Sequence, residues 1–288
     1  MGMIKTFVER HYADRPDVIA AAFLEKPMQF SALIDGFDAL VIVVTDSDRQ
    51  QCFTHHYSKD KTYIQERWYD RATLGALLSP NGNRDVQQWL MAGEIVLDKQ
   101  GFLEEKREML LAVTPDKRDE RLFREFSLFL RHFLLSKNYL EEGELLDAHS
   151  HILTAVHHWA KISVVEAGHV PELTVWKQVR SINPGIFKLY EELTMNTETL
   201  EQRIRLAHLA CDFSVMSKLK DCCRPLLRIL SSRTEPWSAE ELERHPDLRT
   251  MQTELHLVLK KLVRRSLIQE VFVATDPSLD VLEMKYIS

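Results

Sequence analysis

Gly36-Phe37-Asp38-Ala39-Leu40-Val41-Ile42-Val43-Val44-Thr45-Asp46 is the stretch whose reading decides the fold. Residues 39–44 form an unbroken apolar run rich in β-branched side chains, the mark of a strand covered on both faces. One carboxylate, Asp38, stands just before the run, and Thr45-Asp46 gives it a polar exit. Residues 62–69 alternate in character and are expected to pair with this strand. Residues 18–24 are a compact apolar run that suits either a strand or a helix. Residues 4–12, 70–78, 85–92 and 102–111 read as helices, and 94–97 as a short strand. Ser79-Pro80-Asn81-Gly82-Asn83 and Asp98-Lys99-Gln100-Gly101 read as turns. Strands separated by helices make residues 1–115 an α/β domain built on a mixed sheet.

The rhythm changes at Thr114-Pro115-Asp116-Lys117-Arg118. Residues 122–136 carry Phe123, Phe126, Phe129, Leu130 and Phe133 at helical spacing. Residues 139–167 read as a second long helix, and 171–180, 186–193 and 199–218 supply more. No strand pattern interrupts this part, so residues 116–221 are expected to be an all-α helical bundle. Residues 222–288 differ again. A short helix over 224–230 precedes Ser238-Ala239-Glu240-Glu241, a capping box that starts a second helix. Residues 250–265 form a third, with Leu255, Leu259 and Leu262 as its apolar seam and Val258 beside them. Two alternating runs, 267–273 and 281–287, flank a turn at Thr275-Asp276-Pro277-Ser278. Three helices followed by a hairpin is the order of a winged helix, so the chain reads as three domains.

Composition narrows the classes. The 288 residues are 45% apolar and carry a formal net charge of -6, which argues against a protein that coats nucleic acid or a membrane surface. The four cysteines show no C-x-x-C spacing, and Cys222-Cys223 are adjacent, a pattern suited neither to zinc nor to an ordinary disulfide. Sparse cysteine fits a reducing cytosol. No apolar run reaches the ~20 residues of a membrane span, and residues 1–10 have no signal-peptide core. A cytoplasmic protein with no membrane partner is expected.

Several passages carry a family resemblance. They are the stretch from Gly36 to Val44; Trp89-Leu90-Met91-Ala92-Gly93-Glu94-Ile95-Val96-Leu97-Asp98 with Gly101-Phe102; Asp147-Ala148-His149-Ser150-His151 and His157-His158; Val175-Trp176-Lys177-Gln178-Val179; Lys188-Leu189-Tyr190-Glu191-Glu192-Leu193; and Glu201-Gln202-Arg203-Ile204. Together they resemble nucleotidyltransferase-like proteins of Bacillus-type bacteria. The resemblance implies a divergent DNA polymerase beta-like nucleotidyltransferase fold, a helical domain and a C-terminal winged helix-turn-helix. Active members of that superfamily carry a Gly-Ser pair at a helix start, an Asp-x-Asp on one strand and a third acid on a neighbouring strand. The acids hold two Mg²⁺ ions about 4 Å apart, which activate a hydroxyl and steady the leaving phosphate.

This chain departs from that pattern. Between residues 14 and 38 there is no Gly-Ser pair; Phe30-Ser31-Ala32 comes nearest. The position two residues after Asp38 is Leu40, and the position two before it is Gly36. Asp35 is three residues away, which puts the two side chains on opposite faces of a strand, whereas a spacing of two sets them on one face roughly 6.6 Å apart. Glu66 is the only candidate third acid within residues 62–69. The catalytic candidates are therefore Asp38, Asp35 and Glu66, with Mg²⁺ as the cofactor if the protein is active. The first expectation is a degenerate nucleotidyltransferase fold that binds a nucleotide or regulates a partner. The alternatives are an active Mg²⁺-dependent nucleotidyltransferase and a DNA-binding regulator. Asp38 itself is either a strand-end residue satisfied by a turn or part of a residual ligand site.

Other constellations have plainer readings. Asp147, His151 and His158 share one helix face, but their rise of roughly 6 and 10.5 Å keeps them from one ion, so no metal site is expected and His151 should pair with Asp147. Arg203 and His208 fit the Arg-x4-His spacing of helical HEPN ribonucleases, a spacing that chance also supplies. Trp159, Trp176 and Phe187 read as core. Lys260, Lys261, Arg264 and Arg265 occupy the late turns of the third winged-unit helix and are the nucleic-acid-binding candidates. Through residues 222–288 the expected partner is DNA or a protein, with Glu240-Glu241-Leu242-Glu243 opposing DNA on any shared face.

Overall fold

The structure, a computed structural model, describes residues 2–25, 36–46, 52–79, 82–112, 114–172, 174–249, 254–276 and 281–288. Asp35, Phe30-Ser31-Ala32, Pro80, Asn81, Thr250, Gln252, Thr253, Pro277 and Ser278 lie outside them. The chain divides into two compact units, Met1–Ala112 and Val113–Ser288.

In the first unit the apolar runs form strands β1 (Val18–Glu25) and β2 (Ala39–Thr45), joined by β3 (Cys52–Lys59), β4 (Thr62–Asp70) and β5 (Glu94–Asp98). The sheet order is β3-β4-β2-β1-β5. β2 and β4 run parallel, and the other neighbours are antiparallel. The β2 side chains are buried on both faces, as their β-branched run requires. Leu40, Ile42 and Val44 join one core with Leu74, Trp89 and Leu103 of helices α2 (Arg71–Leu77), α3 (Arg84–Ala92) and α4 (Phe102–Leu111). Ala39, Val41 and Val43 join another with Val8 and Tyr12 of α1 (Gly2–Ala13). Each buried aliphatic side chain contributes about 1.5–3 kcal/mol before chain entropy is counted.

Local chemistry sets the helix ends. Asp70 caps α2 through Thr73 N (2.7 Å), and Asn83 caps α3 through Val86 N (3.1 Å). Asp98 accepts from Phe102 N (2.9 Å) and Glu104 N (3.0 Å), which starts α4 past Gly101. Gly93 admits no side chain: a Cβ there would lie 2.8 Å from both Leu24 Cδ1 and the Trp89 carbonyl.

The second unit opens with α5 (Pro115–Glu142) and α6 (Leu145–Glu166), followed by α7 (Val175–Ile182), α8 (Pro184–Met195) and α9 (Leu200–Cys222). The first break differs from the sequence expectation. α5 runs past residues 137–138 and ends at Gly143, whose φ of 83° a helix cannot continue. Phe123, Phe126, Phe129, Leu130 and Phe133 of α5 are buried together with Ala148, Ile152, Ala155 and Val156 of α6. Thr199 and Gln202 form a capping box at the start of α9.

The remaining elements are α10 (Arg224–Leu230), β6 (Trp237–Ser238), α11 (Ala239–Arg244), α12 (Pro246–Arg249), α13 (Leu255–Arg264), β7 (Gln269–Asp276) and β8 (Val281–Ile287). Their small antiparallel sheet has the order β6-β8-β7. Ser238 and Glu241 form the expected capping box of α11. The core does not break at residue 222: Leu226, Leu230, Leu255, Leu259 and Leu262 belong to the same apolar cluster as the α5 phenylalanines. Ser127 Oγ of α5 also accepts from Glu254 N (2.7 Å), which ties the start of α13 to the bundle. Among the described residues no helix is long and apolar enough to cross a membrane. Cys52, Cys211, Cys222 and Cys223 are all free thiols.

Candidate functional site

The register between β2 and β4 decides which side chains can meet. Ala39 pairs with Ile64, Leu40 with Gln65, Val41 with Glu66 and Ile42 with Arg67. Strand alternation then puts Asp38, Leu40 and Ile42 on one face with Tyr63, Gln65, Arg67 and Tyr69, and Glu66 on the other with Ile64 and Trp68. Asp38 and Glu66 are not brought together.

Each carboxylate is already engaged. Asp38 is exposed at the mouth of β2, and its Oδ2 accepts from Tyr63 N (2.8 Å) while its own N donates to the Tyr63 carbonyl (2.8 Å). That is the strand-end role. Glu66 is buried at 5% exposure; its Oε2 accepts from Trp68 Nε1 (2.7 Å) and lies 3.6 Å from His55 Nδ1. Burial pushes its carboxyl above the usual range, against the opposing pull of the Trp68 N–H and the nearby His11. A pair of Mg²⁺ ions needs several ionised oxygens converging on one open point. The described acids of this sheet do not fit it. Among the described residues no three His, Cys, Asp or Glu side chains gather as a ligand set.

What the Asp38 face does carry was missed in the sequence. Gln65 Oε1 accepts from Arg67 Nε (2.8 Å), and Gln65 Nε2 lies 3.3 Å from His56 Nε2 of β3. The Arg67 guanidinium lies over the Trp89 ring at 4.9 Å, and Phe37 packs on His56 at 4.6 Å between centroids. β3 pairs His56 with Gln65 and Thr54 with Arg67. The period-2 signal in residues 62–69 contained this row, but which of its faces meets Asp38 depends on a pairing that one sequence does not show.

In the bundle, His151 pairs with His132 of α5 (Nδ1 to Nδ1, 2.9 Å) rather than with Asp147, which is exposed. The expected i,i+4 pair yields because the neighbouring long helix offers a part-buried partner. His158 Nδ1 bonds Glu125 Oε2 (2.8 Å), and Lys161 and Arg124 lie 3.8 and 3.5 Å from the same carboxylate. Tyr139, His151, His132 and His158 form a stack with centroids 5.2–5.8 Å apart. His208 Nε2 bonds Ser136 Oγ (2.8 Å), whose hydroxyl donates to the Ala148 carbonyl (2.6 Å), and Arg203 Nη1 donates to the Leu193 carbonyl (2.8 Å). Both members of the Arg-x4-His spacing therefore tie helices together. Trp159, Trp176 and Phe187 pack against the core, with Trp176 stacked on Tyr190 at 3.9 Å.

Comparison with known proteins gives these units a family. Residues 1–118 match the family model described as nucleotidyltransferase-like, and residues 119–218 match the one described as a YgxA-like substrate binding domain. The uncharacterized protein YgxA of Bacillus subtilis is 29% identical over 256 residues, 89% of this chain and 87% of its own. The crystal structure of a nucleotidyltransferase-like protein from Exiguobacterium sibiricum superposes with a TM-score of 0.77 at 28% identity, covering 98% of this chain and 97% of that one. Residues 1–118 are thus a nucleotidyltransferase-like domain.

The chain continues past residue 218, where the later of the two family-model matches ends, and the basic candidates lie in that continuation. Lys260 and Arg264 of α13, and Arg265 at its C-cap, are exposed, whereas Leu255, Val258, Leu259 and Leu262 are buried. Lys261 is half-buried. Burial lowers its pKa, and Asp212 of α9 pulls the other way. The four cations thus divide between solvent and the edge of the bundle.

Proposed function

We propose that this nucleotidyltransferase-like protein binds a nucleotide on the sheet of its first unit and does not transfer the nucleotidyl group. One observation carries the reading: the β4 residues that share a face with Asp38 are Tyr63, Gln65, Arg67 and Tyr69, while Glu66 points away. Two-metal transfer needs acids at such positions. The Arg67 guanidinium repels a divalent cation and attracts a phosphate instead, and the Gln65 amide oxygen is already taken by Arg67 Nε. The substrate-binding domain of residues 119–218 supports a ligand-handling role for the second unit as well.

The test is incubation of the full chain with labelled nucleoside triphosphates and Mg²⁺ or Mn²⁺. Saturable binding with no label moved to water, small hydroxylated compounds, RNA or protein is the expected result. Label transfer that disappears in Asp38→Ala would establish a Mg²⁺-dependent transferase instead.

A second reading concerns the terminal segment. Its helix, short strand, helices and hairpin, in the sheet order β6-β8-β7, support a winged helix that docks DNA through Lys260, Arg264 and Arg265. A salt-sensitive gel shift of a generic duplex should then be lost in Lys260→Glu/Arg264→Glu. An unchanged shift, or none with the parent protein, would leave a protein partner as the role of this segment.

A further inference from the structure

We propose that Arg67, His56 and Thr54 form a metal-independent site for a di- or triphosphate group. The inference deepens the nucleotide-binding reading and rests on it only for the remainder of the ligand.

Gln65 sets the polarity of the site. Its Oε1 accepts from Arg67 Nε, so the other end of the same amide is an NH2 that can only donate. The Gln65 Nε2 contact with His56 Nε2 at 3.3 Å is therefore a donation to the imidazole. A ring nitrogen that accepts carries no proton, so the proton of His56 sits on Nδ1, the nitrogen that Gln65 does not use. His56 thus presents Nδ1–H as a donor, with Phe37 bracing the ring.

Arg67 is held just as firmly. Its Nε is bonded to Gln65, its guanidinium hydrogen-bonds the Tyr69 side chain, and its planar face lies on Trp89. A pre-positioned guanidinium loses little freedom on meeting an anion. Thr54 stands directly opposite Arg67 on β3 and adds a hydroxyl. β3 is an edge strand, Thr54 and His56 are exposed, and Arg67 is half-buried. Asp38, the acid on this face, is opposite Tyr63, four strand positions from Arg67 and so about 13 Å away, too far to neutralise it.

Spacing selects the ligand. Thr54 and His56 are two residues apart on one strand, roughly 6.6 Å, and the diagonal from Arg67 to His56 is roughly 7–8 Å. A lone carboxylate spans too little to meet all three donors, whereas linked phosphates do. The fixed positive charge of Arg67 does what a bound cation would otherwise do for such a ligand.

Titration calorimetry of the full chain in EDTA, with ATP, inorganic tripolyphosphate and adenosine, tests this. ATP and tripolyphosphate should bind and adenosine should not. Arg67→Gln should weaken ATP binding by roughly 10- to 100-fold, and His56→Ala should weaken it measurably. Because His56 is exposed, that variant decides the matter should Arg67→Gln fail to fold. ATP binding unchanged in both variants would overturn the site and leave the nucleotide-binding reading standing. Tripolyphosphate binding that depends on Arg67, with ATP no tighter, would support the site and overturn the nucleotide reading. Binding that appears only with Mg²⁺, or no binding of any phosphate compound, would overturn the proposal.

Discussion

Glu66 illustrates how one residue's role depends on the face it occupies. Its carboxyl is buried and raised above its ordinary value of 4.5, so the folded state holds that proton more tightly than the unfolded chain does. The folded form is therefore favoured by this group at low pH. That advantage fades as pH climbs from about 4.5 through the raised value. Once its proton leaves, the group is a partly desolvated charge whose hydrogen-bond partner is one indole N–H. Glu66→Gln keeps an oxygen for Trp68 and removes the charge. Thermal unfolding at pH 7.5 should show the variant as stable as the parent, or more stable by about 0.5–1 kcal/mol. A loss above 1 kcal/mol would mean that the ionised form is needed. The site was only half legible in the sequence for a related reason. Asp38 and Glu66 stand out as acids, and the absence of a second acid two residues from Asp38 can be counted. Their separation onto opposite faces follows from the parallel β2–β4 register, which is a tertiary fact.

Among the elements, those buried on both sides were the easiest to read. β2 is buried and apolar at every position from Ala39 to Val44, and its β-branched run has few other homes. β3 is the opposite case: Cys52-Phe53-Thr54-His55-His56 are all exposed, so no buried face imposes a pattern. Its turn is equally disguised. Asp60 and Lys61 take φ of 50° and 64°, a two-residue turn that usually announces itself as Asn-Gly or Asp-Gly. The break between α5 and α6 was misplaced because Lys137-Asn138 looks polar enough to end a helix. Gly143 is the residue that ends it, and a Cβ there would meet nothing within 4 Å. The cost of a side chain at this position is therefore conformational alone. Gly143→Ala should destabilise the protein by about 1–2 kcal/mol and Gly143→Asn by clearly less, since Asn tolerates the left-handed region. Chemical denaturation of both variants would check the order; equal losses would point to a packing effect instead.

At the scale of the whole molecule the two units hold their buried titratable groups with opposite sign. In the first, Glu66 favours the folded state in acid. In the second, His132 is pushed down to about 4 by burial, with His158, His151 and Arg131 adding to the effect and Glu254 opposing it. His208 is pushed down to about 4 by burial and Lys137, with Asp212 opposing. A histidine depressed in the folded state binds its proton better when unfolded. Its support for folding is whole above the ordinary value of 6.5 and drains away as pH falls from there toward 4. The His208 ring also bonds Ser136, which bridges α9 to α5 and α6, so the charge that acid places on it falls at a junction of three helices. Differential scanning calorimetry between pH 7.5 and 5 should therefore show the transition of the second unit moving to lower temperature, and the first unit gaining rather than losing from Glu66. His208→Gln, which keeps a donor for Ser136 and cannot titrate, should flatten the shift of the second unit while costing some stability at pH 7.5. A second-unit transition as pH-sensitive in His208→Gln as in the parent would assign the acid response to the His132 stack instead.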